Sequence, residues 1–150
     1  MQDAGFFFDE LTDFQKDLFD EAQKLFPDET KKFLKGEAKK LSDVQKKLAK
    51  QLVGTSKGKK KNWKAEKSYH KRFKVGKIYN YNGDTAVRAY NGAPHSHLIE
   101  YGHKKWIRGK DTGEFVRGIH VMGASENAFK NDFVTDAEDF LGEHFEDIGK

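Results

Sequence analysis

The segment FKVGKIYNYNGDTAVRAYN, residues 73–91, predicts a β-hairpin in the middle of the chain. From Phe73 to Ile78 the residues alternate with the period of two that is typical of a strand. Asn82-Gly83 predicts the turn, because both residues tolerate positive φ. Thr85–Tyr90 is then the return strand, and a second Asn-Gly pair followed by Pro94 ends it.

A second hairpin is predicted between Lys104 and Val121. Its turn is expected at Lys110-Asp111-Thr112-Gly113, a polar run that contains a glycine between two apolar stretches. Its apolar members are Trp106, Ile107, Phe115, Val116, Ile119 and Val121.

Helical patterns precede these strands. Apolar residues recur at spacings of three and four from Leu11 to Leu52, as in an amphipathic helix. Pro27 should break this run because its ring removes a donor and clashes one turn back, so we expect helices over about 9–26 and 28–53. Asp9 is the expected N-cap of the first helix, and Gly54 should end the second.

A final helix is predicted over residues 123–148, with Ser125 as its cap. The order of elements predicts one α+β domain over residues 1–150, a small antiparallel sheet packed by a long N-terminal helical region (1–53) and a C-terminal helix. Residues 54–72 are interpreted as an exposed basic loop, and residues 73–121 as the hairpins joined by a short helical turn.

Composition excludes several classes of protein. The chain has no Cys, so it has no disulfide framework, thiol nucleophile or thiolate metal site. The longest apolar stretch, Ala4 to Phe8, is far shorter than the roughly 20 residues that span a bilayer, so no membrane partner is expected. Asp3 precedes that stretch and no Lys or Arg does, which disfavours a secretory signal.

The net charge of +4 conceals segregated signs. Residues 1–30 hold nine acidic side chains against two Lys, and residues 31–80 hold eighteen Lys and Arg against three acids. Residues 81–150 hold eight basic against twelve acidic side chains. Three interpretations stay open: solvated helix faces, contacts between acidic and basic regions of neighbouring copies in a head-to-tail ring, or a nucleic-acid partner for the basic middle.

Three catalytic or cofactor-binding patterns are weak. His95, His97, Glu100 and His103 could ligate zinc or iron in a hydrolase, but their spacing matches no zinc motif. A Ser96–His97–Glu100 triad lacks a nucleophile elbow. The loop GTSKGK, residues 54–59, has the wrong spacing for a phosphate-binding loop.

The basic loop supports an alternative function. Residues 57–74 interleave Lys and Arg with aromatic side chains, which is compatible with gripping phosphates and stacking bases. This hypothesis makes the chain a nucleic-acid-binding module. Its expected partner or DNA contacts are Lys57, Lys59, Lys60, Lys61, Trp63 and Lys64.

The middle of the chain resembles the "gene-product-ten-like" minor tail component family of long-tailed bacteriophages. The resemblance lies in the lysine- and glycine-rich loop with its tryptophan, the segment that begins Lys-Val-Gly-Lys, and APHSHLIEYGHK, residues 93–104. It does not extend to the acidic, Phe-rich first 30 residues. The family signature positions are filled by Ala93, Pro94, His95, His97, Leu98, Ile99, Glu100, Tyr101, Gly102 and His103.

The resemblance implies a structural virion protein that completes the tail or joins head to tail. It implies a ring, hexameric by expectation, at the neck end of the tail tube, beside tail-terminator, tail-tube and head-closure proteins and near the passing genome. It implies no catalytic residue, metal or cofactor, and a location in the virion after assembly in the host cytoplasm.

The same signature suggests structural roles for its residues. Pro94 would fix the turn that leaves the second strand, and Gly102 would end a short helical turn. Leu98, Ile99 and Tyr101 would pack that turn on the sheet. Glu100 would pair with His97, His103 or Arg88.

Overall fold

The computed structural model describes residues 2–4, 11–53, 69–81, 83–94 and 96–145. It confirms the predicted α+β class, with antiparallel strands packed against helices from both ends of the chain. The strands are β1 (Gln2–Ala4), β2 (Phe73–Val75), β3 (Tyr79–Tyr81), β4 (Asp84–Ala86), β5 (Ala89–Asn91), β6 (Gly102–Ile107) and β7 (Lys110–Arg117). The helices are α1 (Asp13–Leu25), α2 (Pro27–Leu52), α3 (Ser96–Tyr101) and α4 (Val121–His144).

The break between α1 and α2 lies where proline predicts it, with Pro27 as the first residue of α2. The predicted cap of α1, however, is wrong, because the helix begins at Asp13 behind a Thr12 capping box. Thr12 Oγ1 accepts the Gln15 N–H at 3.2 Å, and Gln15 Oε1 accepts the Thr12 N–H at 3.0 Å, so two end donors are satisfied reciprocally. Gly54, expected to end α2, lies outside the described residues.

The first hairpin forms as predicted, but each of its two predicted strands is divided into two shorter strands. The tip pairs β3 with β4 (Tyr79 opposite Ala86), whereas the base pairs β2 with β5 (Phe73 opposite Asn91), one residue out of register with the tip. Gly83 takes positive φ in the turn (+90°), and its partner Asn82 lies outside the described residues. The other edge of β5 pairs with β1, a strand that the periodicity did not predict.

The second hairpin turns earlier than predicted. Its turn is Arg108-Gly109, both at positive φ (51° and 76°), so the expected turn at residues 110–113 is wrong. Lys110 pairs with Ile107, and Gly113 (φ 78°) lies where the pairing register shifts between Lys104 and Trp106. Gly109 and Gly113 could each have formed the turn. The two-residue turn at Arg108-Gly109 is possible because Gly113 accommodates the irregular pairing in β7.

The core lies between the helices and the inner face of the β1–β5–β2 sheet. Phe140 of α4 stacks on Phe33 of α2 at 4.5 Å between ring centroids and on Phe19 of α1 at 5.8 Å. The other buried apolar side chains of this core are Leu11, Ala22, Leu41, Ala49, Tyr69, Phe73, Ala89, Ala93, Val121, Met122, Phe129, Phe133, Ala137 and Leu141.

One carboxylate is buried where α2 packs on α4. Lys40 Nζ lies 2.8 Å from Asp136 Oδ2 and 3.6 Å from Oε1 of the buried Glu37. Burial raises the pKa of Glu37 to about 7, and a hydrogen bond with Asp136 acts in the same direction. Burial also acts to raise the pKa of Asp136, but hydrogen bonds with Lys40 and Glu37 outweigh it and lower that pKa.

We expect the charge of Glu37 to make stability depend on pH. Because folding raises its pKa from 4.5 to about 7, its contribution is complete below pH 4.5 and is lost as pH rises through 7. Relative to Glu37→Gln, which stays neutral, the wild-type protein should lose roughly 2–3 kcal/mol of unfolding free energy across that interval. Urea unfolding of both proteins at pH 5 and pH 8 measures this, and parallel pH profiles would contradict it.

Candidate functional site

The signature segment, residues 93–103, is anchored to the sheet by a buried amide. Asn91 is fully buried, its Nδ2 donates to the Tyr69 carbonyl at 2.8 Å, and its Oδ1 accepts the Ala93 N–H at 2.8 Å. The Ser96 hydroxyl donates to the Asn91 carbonyl at 3.5 Å, at the start of α3. The sequence pattern treated Asn91 only as a turn residue, but its side chain fixes where the segment leaves β5.

Glu100 joins the signature segment to α4. This side chain is buried, its Oε1 accepts the Met122 N–H at 2.8 Å, and its Oε2 accepts the Gly123 N–H at 3.4 Å. A carboxylate at this end satisfies free N–H groups and interacts favourably with the helix dipole. His120 Nδ1 lies 4.0 Å from Glu100 Oε2, so among the described residues the contact of Glu100 is with His120 rather than with the predicted His97, His103 or Arg88.

This contact replaces the predicted cap of α4. The helix begins at Val121 instead of residue 123, and the Ser125 hydroxyl donates to the Met122 carbonyl from inside the first turn. His120, the residue before the helix, is left-handed (φ 56°) and makes no side-chain cap. A residue twenty-two positions upstream of Met122 therefore caps the helix, which local sequence patterns do not reveal.

Glu100→Ala should lower the free energy of unfolding by about 2–4 kcal/mol, because the buried Met122 N–H and the half-buried Gly123 N–H lose their charged acceptor. Glu100→Gln, which keeps one acceptor oxygen, should lose less. Thermal and urea unfolding followed by circular dichroism measures both variants. Asp139→Ala, at an exposed position of α4, is the control and should change stability by less than about 0.5 kcal/mol. Equal stability of Glu100→Ala and wild type would show that the contact contributes nothing.

The backbone of residues 99–102 crosses the backbone of residues 116–120 at close range. The carbonyls of Ile99 and Glu100 accept the N–H groups of Ile119 and His120 at 2.7 and 3.2 Å. Gly102 ends α3 at φ +87°, as predicted, and a Cβ there would strike the Val116 carbonyl. A Cβ at Gly118 would strike the Glu100 carbonyl.

The signature histidines and the other signature side chains that the structure describes do not converge on one point. His97 is exposed, His103 Nδ1 lies 2.9 Å from the Lys104 carbonyl oxygen, and His95 lies outside the described residues. In the part of the chain that the structure describes, no three His, Asp or Glu side chains are grouped to hold a metal ion. Ser96 bonds to Asn91 and Glu100 to α4, so these two side chains are not arranged as members of a triad.

Only part of the expected packing of α3 is present. Ile99 packs against the core, whereas Leu98, Tyr101 and Pro94 are exposed. A helix of six residues has one inward side, and Ser96, Ile99 and Glu100 occupy it. Tyr101 and Leu98 are therefore on the surface rather than on the sheet.

The second hairpin extends the signature segment into an apolar and basic projection. We call residues 102–117 the hairpin arm. Trp106 and Phe115 are 60% and 62% exposed, and Ile107 and Val116 are exposed as well. The arm carries five Lys and Arg against Asp111 and Glu114. A two-stranded hairpin is only marginally stable in water on its own, and exposed apolar side chains of this kind are typical of interaction surfaces.

A second surface combines tyrosines and cations on the first hairpin. An open cleft of about 300 Å³ is lined by Gly76, Lys77, Tyr79, Arg88 and Tyr90. The Arg88 guanidinium lies 5.1 Å from the centroid of the Tyr79 ring, and Arg88 Nε donates to the Tyr79 hydroxyl at 3.3 Å. The Tyr90 ring lies against Gly76 and Gly92, where a Cβ would be 3.6 and 3.8 Å from it.

The contacts predicted in the basic loop are not placed by the structure. Lys57, Lys59, Lys60, Lys61, Trp63 and Lys64 all lie outside the described residues. The described residues that follow, Lys71, Arg72 and Lys74, have exposed side chains. Sequence reasoning missed the cleft, although its Lys and Tyr residues are visible in the first hairpin.

Comparison with protein-family models, characterised proteins and solved structures finds no match to this chain. Among the described residues, no helix has both the length and the apolar character needed to cross a bilayer.

Proposed function

We propose that this protein is a structural virion component of a long-tailed phage, which completes the tail or joins it to the head. The observation that carries the proposal is the hairpin arm, which follows directly from the signature segment and exposes Trp106 and Phe115. In this role the protein has no catalytic residue and no cofactor. Its surfaces contact other copies and neighbouring tail proteins.

The charge pattern supports assembly into a ring. A head-to-tail ring needs two different and complementary patches on each copy. The arm is apolar and basic, whereas α1 carries four acidic side chains against two lysines. We propose a ring, hexameric by resemblance, at the neck end of the tail tube, beside the tail terminator, the tail tube and the head-closure protein.

Electron microscopy of particles made without this protein tests the function. The phage genome is engineered to stop translation of this chain, and a plasmid copy serves as the control for restoration. We expect complete heads and separate tails, or tails with a defective upper end, and joined particles when the plasmid is present. Normal joined particles without the protein would reject the proposal.

The tyrosine-lined cleft favours a second candidate function, binding of single-stranded nucleic acid. Tyr79 and Tyr90 are half-buried and lie beside cations. In proteins that bind single strands without sequence preference, cations attract the phosphates and aromatic rings stack the bases. Lys74, Lys77 and Arg88 would attract the backbone, and the Tyr90 ring would stack a base. In this alternative the cleft continues the predicted basic loop 57–74.

Salt-dependent binding separates this candidate from the first. If it holds, affinity for a labelled oligonucleotide should fall linearly in log[salt], and Lys77→Gln should reduce the slope. Tyr90→Ala should weaken binding about tenfold by removing a stacking platform. Asn80→Ala, an exposed change in the same hairpin, is the control. No binding at low salt would reject the candidate.

A further inference from the structure

The strand register places two aromatic and two basic side chains of the arm on one face. Gly102 pairs with Arg117 and Lys104 with Phe115, and beyond the register shift Trp106 pairs with Asp111. Paired residues of antiparallel strands project to the same side, and successive residues of one strand alternate. Lys104, Trp106, Phe115 and Arg117 therefore share a face with Asp111, and we call this the arm face.

Helix α1 presents the opposite combination. Phe14 and Leu25 are each 60% exposed, although both lie on an otherwise amphipathic helix. Positions 14, 21 and 25 fall on one side of a helix of 3.6 residues per turn, and Asp17 flanks them. We call Phe14, Asp17, Glu21 and Leu25 the acidic stripe.

The two surfaces both combine exposed apolar side chains with charges. Phe14 and Leu25 lie eleven residues apart, about 16 Å along the helix. Trp106 and Phe115 lie closer together, about 7–8 Å apart, because Phe115 pairs with Lys104 and Trp106 is two residues further along β6. The aromatic pair of the arm face therefore matches one end of α1 rather than the full distance from Phe14 to Leu25.

The charges also indicate what contacts the arm face: a different surface on another copy of the chain. Two arm faces packed on each other would bring together surfaces of net positive charge, because Lys104 and Arg117 outnumber Asp111, and two acidic stripes would bring together Asp17 and Glu21. Like charges brought together at an interface are unfavourable, whereas the arm face and the acidic stripe are complementary. A contact between different patches repeats from copy to copy and forms a ring when the rotation between copies closes.

We propose that the arm face of one copy packs across the acidic stripe of a second copy. That the contacting surface belongs to a second copy rests on the proposed function, in which copies of the chain are neighbours in a ring. Trp106 and Phe115 pack on Phe14 at one end of the stripe, while Lys104 and Arg117 lie opposite Asp17 and Glu21.

Cysteine cross-linking tests this contact, because the chain contains no cysteine of its own. One variant carries Lys104→Cys on the arm face, and the other carries Asp17→Cys on the acidic stripe. The two are mixed under mild oxidation, and disulfide-linked heterodimer is measured on non-reducing gels. The control pair joins Lys104→Cys with Asp139→Cys, at an exposed acidic position of α4.

The proposed contact should raise the rate of arm–stripe cross-linking at least about tenfold over the control pair, through the higher effective concentration. Equal rates would overturn it, and so would faster self-linking of Lys104→Cys, which would indicate a symmetric arm–arm contact.

Charge exchange provides a second readout on proteins that remain folded. Adding Glu21→Lys to the Asp17→Cys variant should lower the cross-linking rate, and adding Arg117→Glu to the Lys104→Cys partner should restore it. Failure to restore it would overturn the proposed pairing. Circular dichroism confirms that each variant is folded.

The cross-linking experiment tests the contact, and the electron microscopy of particles tests the function, so either proposal can be rejected without the other. Specific cross-linking together with normal particles in the absence of the protein would reject the virion function and keep the contact. Separate heads and tails together with non-specific cross-linking would keep the function and reject the contact.

Discussion

Gly118→Ala is expected to lower the free energy of unfolding by more than about 3 kcal/mol, a large fraction of the total stability of a typical domain. A Cβ at this position would strike the Glu100 carbonyl oxygen and lie 2.6 Å from the Tyr101 carbonyl carbon. Both obstacles are backbone, so neither can rotate away as a flexible side chain would. Relief requires α3 to separate from residues 118–120, which breaks the hydrogen bonds made by Ile119 and His120.

Urea denaturation followed by circular dichroism measures this effect. Gly36→Ala is the matched control, because a Cβ at that position of α2 would meet nothing within 4 Å. The control should gain roughly 0.5–1 kcal/mol, since alanine favours a helix interior over glycine. A Gly118→Ala midpoint equal to that of wild type would show that the crossing relaxes without cost.

Phe140→Ala is expected to lower the free energy of unfolding by about 3–5 kcal/mol. Phe140 is the central ring of a stack that joins α4 to both N-terminal helices, with centroid distances of 4.5 Å to Phe33 and 5.8 Å to Phe19. Truncation removes the apolar burial of the ring and leaves a cavity that two rigid neighbours cannot fill.

Phe14→Ala is the control for this variant. Its ring is 60% exposed, so its loss should change the stability of the single subunit by less than about 0.5 kcal/mol. The same substitution removes part of the acidic stripe, so it separates folding from association. Thermal unfolding measures both variants, and equal midpoints for Phe140→Ala and wild type would contradict the prediction.

The helices and the first hairpin could be predicted from sequence because their signals are local. Pro27 ends one helical period and begins another, and Asn82-Gly83 favours a turn without reference to the rest of the chain. The predicted position of the turn in the second hairpin was wrong because both Gly109 and Gly113 can adopt the positive φ that a turn requires. The pairing of Lys110 with Ile107 in the structure shows that the turn lies at Gly109.

The candidate site was less predictable because its contacts join distant residues. The signature marked Glu100, but its role depends on the first turn of α4, where Met122 lies twenty-two residues later in the chain. Four of the six apolar members predicted for the second hairpin, Trp106, Ile107, Phe115 and Val116, lie in its strands. The prediction was wrong for the other two, because β7 ends at Arg117, so that Ile119 follows the hairpin and Val121 begins α4. Alternation does not reveal what covers a strand, so the exposure of Trp106 and Phe115 required the three-dimensional arrangement.

The tight backbone crossing at Gly118 has a geometric consequence for assembly. It joins the base of the arm to the first turn of α4 through Glu100, which leaves little freedom for the arm to swing relative to the subunit body. In a ring built by the arm–stripe contact, the angle between arm and α1 within one copy becomes the rotation from each copy to the next. The curvature of the ring, and with it the number of copies needed to close, is then encoded in the interior of a single chain.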